Sequence, residues 1–325
     1  LLIGARYYSG NTIRKQGDAN KNNTPDFYFL NPDNLENSSY TFPSSNYAFF
    51  AENVFQLTPK WNITPGIRYE SINTASEGYY RLLNKDLAGN VLLDMKVADN
   101  RSNSRHFVLL GIGTQLKLNS GIDLYANFSQ NYRSINFNDM RVANPNFQVD
   151  PNLKDEKGFT ADAGFRGAIK NILYFDLSVF CLEYKDRIGT VLGVDSINYT
   201  VVRYRTNVSD SRNIGVELFA EVDWIKLINR NSKHKLTTFI NAAYTRATYI
   251  NSEQTAYLNK KVEYVPDIII RAGVTYAYKK FSATILNAYT SQQFSEATNS
   301  MASASGIYGI IPAYNVLDFS AGYSQ

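Results

Sequence analysis

Seven cationic side chains stand in or beside the longer polar stretches of this sequence: Arg14, Lys15, Arg81, Arg101, Arg105, Arg133 and Arg141. An arginine presents a planar fork of donors that matches a carboxylate, and it stays charged at physiological pH. Such a fork can hold the carboxylate of a ligand or that of a neighbouring side chain. Arg133 is the first candidate, followed by Arg105 and Arg141, with Arg101 in the same set. Gln130 and Asn131 lie at the end of the strand that carries Arg133 and could donate further hydrogen bonds. The competing reading pairs the arginines with loop carboxylates such as Asp139, Asp150 and Asp155.

Residues for covalent or metal chemistry are scarce. There is one cysteine and there are two histidines. Cys181, in "LSVFCLEY", reads as a small hydrophobe on a strand, and one cysteine excludes a disulfide framework or a thiolate cluster. His106 beside Ser102 and Ser104 is the one arrangement that resembles a hydrolase nucleophile and base, and it lacks an ordering carboxylate at recognisable spacing. "NPDN" at 31–34 and "DLAGN" at 86–90 read as Asx-type turns rather than calcium loops. No catalytic residue, metal site or resident cofactor is therefore expected.

The elements that position these residues are strands. The chain has 325 residues, of which 14% are aromatic, with 24 Tyr and 19 Phe but only 2 Trp. Mean hydropathy is −0.31. No run of 18 apolar residues marks a membrane helix. A net charge of +4 without a basic run gives no footprint for nucleic acid. About twelve strands are expected, over 1–16, 46–58, 61–81, 105–118, 122–133, 157–169, 172–192, 201–227, 234–250, 263–278, 281–296 and 313–325. Their connections are read as alternating long and short. In an up-and-down antiparallel sheet this puts tight turns on one rim and long loops on the other, as in outer-membrane barrels.

Side-chain alternation agrees. Ile122, Leu124, Ala126 and Phe128 share one face, and Asp123, Tyr125 and Asn127 the other. In 107–118 Val108, Leu110, Ile112, Thr114, Leu116 and Leu118 alternate with Gly111, Gly113, Gln115 and Lys117. The apolar set would be the core of a soluble sandwich or the lipid face of a barrel, and periodicity alone does not separate the two. The polar face carries Arg68, Glu70, Asp162, Arg166, Asp176, Glu217, Glu221 and Arg271 among glycines. That mixture suits a wet lumen packed against an inserted domain, although a solvated outer sheet face also carries charges. The fold class expected is all-β, an antiparallel transmembrane β-barrel.

A set of motifs then points to a family. "NYR" at 131–133, "FND" at 137–139, "NPN" at 144–146 and "DPNLKDEKG" at 150–158 resemble a strand-to-loop segment of TonB-dependent outer-membrane receptors. "LTPKWNITPGIRYE" (57–70), "YKDRIG" (184–189) and "SRNIGVELFAEVDW" (211–224) extend the resemblance over most of the chain. "GARYYSGNTIRKQG", "FYFLNPDNLE" and "NYRSINFNDMRVANPNFQVDPNL" resemble ferric-citrate-type receptors of Bacteroidetes-like bacteria.

The resemblance implies a bacterial outer-membrane location and a 22-stranded barrel plugged by an N-terminal domain. Residues 1–325 are then expected to be a partial barrel domain, lacking the plug, the first strands and the last few. The parent protein is expected to import an iron chelate, ferric citrate or a related siderophore, captured by extracellular loops such as 131–156. Its implied partners are the TonB–ExbB–ExbD complex, reached through the N-terminal region, and outer-membrane lipid and lipopolysaccharide. Lipopolysaccharide phosphates are a further competing role for the arginines. Other cargoes (another siderophore, cobalamin or a glycan) fit the same barrel. An outer-membrane enzyme and a β-rich adhesin are the remote alternatives.

Overall fold

The computed structural model describes residues 1–21, 25–86, 88–119, 121–137, 139, 147–194, 201–252, 255–302 and 308–324. Twelve principal strands follow one another along a single sheet. They are β1 (Leu2–Gln16), β2 (Ser38–Glu52), β3 (Trp61–Lys85), β4 (Arg101–Asn119), β5 (Ile122–Arg133) and β6 (Glu156–Ile169). Then come β7 (Leu173–Val194), β8 (Val201–Asp223), β9 (His234–Asn251), β10 (Ile268–Tyr278), β11 (Phe281–Thr290) and β12 (Tyr314–Tyr323). Each is antiparallel to the next. The sheet is an open up-and-down wall in which β1 and β12 are the ends. The all-β antiparallel expectation is met.

The two faces separate as the alternation requires. Ile67 lies opposite Leu110, Ile112 opposite Phe128, and Val274 opposite Ile285, which faces Phe319. All seven are exposed on the outer face, Ile112 at 49% and Phe319 at 71%. A soluble sandwich would bury this set, so the wall is built to stand in hydrocarbon. The inner face is laced by polar contacts instead. Asn46 and Arg68 both donate to Glu70, at 2.6 and 2.5 Å, Gln115 donates to Asp123 at 2.8 Å, and Tyr125 donates to Asp176 at 2.8 Å.

Several boundaries differ from the sequence reading. β2 begins at Ser38 rather than 46, because Pro43 breaks the apparent strand signal although its missing N–H is tolerated at a gap in the β2–β3 ladder. Phe55–Thr58 is a separate short strand. β3 runs on to Lys85, and Val91–Ala98 folds back on it, so the stretch after residue 81 is a hairpin and not a wandering loop. The strand read as 201–227 stops at Asp223, which caps the short helix α1, Trp224–Ile228, by accepting from the Lys226 amide at 3.0 Å. Nor does the alternation of connection lengths hold throughout. The β7–β8 connection, 195–200, is shorter than the β8–β9 connection, 224–233. On that side height comes from the strands themselves, 22 and 23 residues long.

Buried cores lie high in the wall, under the long-rim loops. Val191, Val208, Ala247, Tyr249, Tyr257, Val262 and Ala297 form one, and Tyr40, Phe42, Ile135 and Ile188 form another. This matches a wall whose lower apolar side chains face outward and meet only one another, as Phe128 stacks on Phe159 and Phe165 meets Phe175 edge-on.

Candidate functional site

At the long rim, β5 to β8 and the β9–β10 connection line an open cavity of about 280 Å³. Its lining includes Arg133, Glu156, Tyr184, Arg187, Arg205 and Glu263. Three features of the sequence build it. The first is a register shift between Tyr184 and Ile188, with Asp186 in the left-handed region at φ 53°. Such a bulge bends a strand and re-aims its side chains, here at Arg187. The second is the i, i+2 pair Arg203 and Arg205 on one face of β8: Arg205 lines the cavity, and Arg203 donates to the lining Tyr264 at 2.7 Å. The third is the loop after β5. Its segment Phe147–Val149 pairs in parallel with Arg203–Arg205 and so laces the loop to the tall hairpin.

A chain of charges fixes the loop. Arg133 donates to Asp139 and to Glu156, both at 2.8 Å. Arg205 donates to the same Asp139 through Nη2 at 2.8 Å and Nε at 3.0 Å. Asp139 is 1% exposed and Glu156 2%, so these carboxylates need their cations. Glu156 also accepts from the Ile188 amide at 2.9 Å, and Glu263 accepts from the Thr190 amide at 3.1 Å and the Tyr249 hydroxyl at 2.6 Å. A second knot joins Arg105, the Tyr132 hydroxyl and the Ile135 amide on Asp155 at 2.5, 2.5 and 2.8 Å. Burial pushes the Asp155 carboxyl up, but the bonds from Arg105, Tyr132 and the Ile135 amide outweigh it and hold it below its ordinary value.

The expected ligand residues are therefore dispersed in role. Arg133 reaches the cavity, but two carboxylates already hold it. Arg105 donates to Asp155 and Thr74, and its Nη2 is buried without a partner. Arg101 pairs with Asp99 at 2.8 Å, and Arg81 with Asp94 at 2.5 Å. These are the loop-carboxylate pairings weighed as the competing reading. Asn131 donates to Thr160 at 3.1 Å. Gln130 stands in the same outer-face row as Phe128 and Leu124, where it accepts from the Leu110 amide at 3.0 Å. Arg141 lies outside the described residues, as does the "NPN" of 144–146. Sequence reasoning missed Arg187, Arg203 and Arg205. The motif "YKDRIG" and the alternation in "VVRYRT" were the available signals. Arg187 Nε and Arg203 Nε are buried with no hydrogen-bond partner, as is Glu156 Oε2. Buried donors left open in this way invite a polar ligand or water.

Other candidates resolve simply. His106 meets Ser104 at 3.4 Å and Tyr69 at 3.3 Å on the outer face, in the row of Val108 and Leu110. Asp86 accepts from the Ala88 and Asn90 amides at 2.9 and 2.8 Å, closing its own hairpin turn.

A family model, TonB dependent receptor-like, beta-barrel, matches residues 1–325. The chain belongs to this family. Its members are outer-membrane barrels of Gram-negative bacteria and are transport receptors rather than enzymes. The receptor chain is similar in structure to the unliganded ferric citrate transporter FecA, with a TM-score of 0.68 at 18% identity over 99% of this chain and 43% of that one. It is similar to the ferric-catecholate import receptor Fiu of E. coli K12 in its closed form, with a TM-score of 0.66 at 15% identity over 99% and 46%. The ferric yersiniabactin uptake receptor FyuA of Yersinia pestis gives 0.65 at 17% over 99% and 43%. At these identities the likeness shows the fold. The receptor chain spans less than half the length of each of these structures. No curated protein sequence matches it.

Proposed function

We propose that the protein carrying this chain imports an iron chelate across the outer membrane, with ferric citrate as its cargo and the cavity behind Arg133 as part of the capture site. The observation that carries this reading is the cavity lining: Arg133, Arg187 and Arg205 converge there, and the Nε of Arg187 is buried without a partner. A carboxylate oxygen of the chelate supplies the missing acceptor. The volume of about 280 Å³ is just under the usual range for a drug-sized ligand, so this wall holds one edge of the chelate. Within this reading Arg187 joins Arg133 as a ligand donor, while Asp139 holds Arg133 and Arg205 at the cavity. Energy input comes from the TonB–ExbB–ExbD complex, acting through a plug outside residues 1–325. Lipopolysaccharide is the neighbour of the long rim.

Calorimetric titration of the full-length receptor in detergent tests this, with iron-free citrate and a hydroxamate siderophore as controls. The expected result is selective ferric citrate binding that weakens at least tenfold in Arg187→Gln, a loss of about 1.4 kcal/mol. A folded receptor that ignores ferric citrate sinks the cargo. An unchanged affinity in Arg187→Gln sinks the site.

A further inference from the structure

The connections at the two rims carry opposite net charge, although Glu52 and Asp223 end strands at the short rim. The five short-rim connections are 53–60, 120–121, 170–172, 224–233 and 279–280, and they contain no Asp or Glu. They hold seven cations. Lys60 and Lys170 stand singly on their turns, Lys226, Arg230 and Lys233 lie in the β8–β9 connection, and Lys279 and Lys280 make the β10–β11 turn. Among the described residues none of the seven enters a salt bridge. The long-rim connections, by contrast, carry fifteen acidic residues against six cations. The last five short-rim cations are neighbours, because His234 lies opposite Tyr278 and brings the two connections together.

The same rim carries the markers of an interface. The chain has two tryptophans. Trp61 Nε1 donates to Thr114 and Trp224 Nε1 donates to Thr238, each at 2.8 Å. Thr114 lies in the outward row of Ile112 and Leu116, and Thr238 is opposite the outward Val274. Both indoles therefore lie on the outer wall at the short rim, where amphipathic rings meet headgroups. Helix α1 adds to this. Trp224, Leu227 and Ile228, at i, i+3 and i+4, form one apolar face, and Ile228 is 87% exposed. His234, hydrogen-bonded to Tyr276 at 2.7 Å and stacked on Tyr278 at 4.1 Å between ring centres, continues the belt on that face.

We infer that the short rim is a binding surface for anionic phospholipid headgroups of the periplasmic leaflet, centred on α1 and the turn at Lys279–Lys280. The occupant is a glycerophospholipid phosphate: the surface offers cations free of salt bridges among the described residues, Lys279 lying over the Tyr278 ring at 5.2 Å, beside an apolar helix face, which is the arrangement that holds an interfacial helix on anionic lipid. The acidic long rim cannot serve the same ligand. Each cation near such a surface strengthens association by about fivefold.

The test uses the intact receptor purified in an equimolar mixture of phosphatidylglycerol and phosphatidylethanolamine, with retained lipid quantified by mass spectrometry. The wild type is expected to enrich phosphatidylglycerol at least tenfold, and to lose that enrichment between 50 mM and 500 mM salt. The combined variant Lys226→Gln, Arg230→Gln, Lys279→Gln, Lys280→Gln is expected to retain the two lipids equally. A control variant with Arg14, Lys15, Lys260 and Lys261 changed to Gln on the long rim keeps the wild-type preference. Absence of enrichment, enrichment indifferent to salt, or a preference that only the long-rim variant abolishes overturns the inference. Should the combined variant fail to fold, the salt series on the wild type and Arg230→Gln alone decide it.

Discussion

Replacing Asp139 by Asn separates the loop's anchoring from the barrel's stability. Asp139 accepts from Arg133 Nη2 at 2.8 Å, from Arg205 Nη2 and Nε at 2.8 and 3.0 Å, and from the Asn136 amide at 3.1 Å. The substitution removes the charge, keeps the shape and turns an amide NH2 toward one guanidinium. Breaking a buried ion pair costs about 3–5 kcal/mol when its partner stays buried. Here the partners are not fully buried, at 32% and 22% side-chain exposure for Arg133 and Arg205, and water takes over part of their hydrogen bonding. The local cost falls to about 2–3 kcal/mol, which opens the loop roughly 30- to 150-fold more often. The barrel wall does not depend on Asp139, so the effect stays local. Hydrogen exchange on peptides covering 134–155 reads it, with peptides from β6 and β7 below Tyr184 as internal references. Acceleration below about threefold, or equal acceleration in the reference strands, would refute the view that this ion-pair chain is what holds the loop down.

Two further outcomes test the wall and the loop electrostatics. Ile112→Arg, mid-height on the outer face, is expected to cost about 2–4 kcal/mol of folding stability in vesicles, whereas Gln115→Arg on the inner face beside Asp123 costs under about 1 kcal/mol. Denaturant titration of both variants measures the difference; equal costs would refute the assignment of faces, and a larger cost for Gln115→Arg would reverse it. The Asp155 carboxyl is held below its ordinary value, so the folded loop binds fewer protons there than the unfolded one. Its contribution is present above the ordinary carboxylate range, near 3.8, and is lost as pH falls through the depressed value. Exchange of the Ile135 amide is therefore expected to show flat protection, after correction for intrinsic rates, from pH 8 to 5. A loss of protection near pH 6 would show that another group governs the loop.

Much of this molecule was legible in the sequence because strand alternation is a local property. Leu124 and Tyr125 point to opposite faces whatever surrounds them, and Lys170-Asn171 declare a turn by themselves, so the strand sequence, the short turns and the family motifs could be read directly. Local pattern could not show which face meets lipid; that followed once Ile112, Phe128 and Phe319 stood exposed in one continuous outer wall. Nor could it show that Ser38–Pro43 and Val91–Ala98 are strands, because both sit where neighbouring chain, rather than alternation, fixes the backbone. The arginines divide along the same line. Arg133 was visible as a cation at a strand end, but its engagement by Asp139 and Glu156 depends on a loop folding back across β8. Arg187, Arg203 and Arg205 become candidates only when a bulge in β7 and a parallel pairing to Phe147–Val149 bring distant segments together. Sequence alone determined the period of the strands and the short turns between them, because both depend on residues near one another in the chain. The tertiary structure decided which charges are already spent on one another, because a carboxylate neutralises whichever cation the fold places within hydrogen-bonding distance.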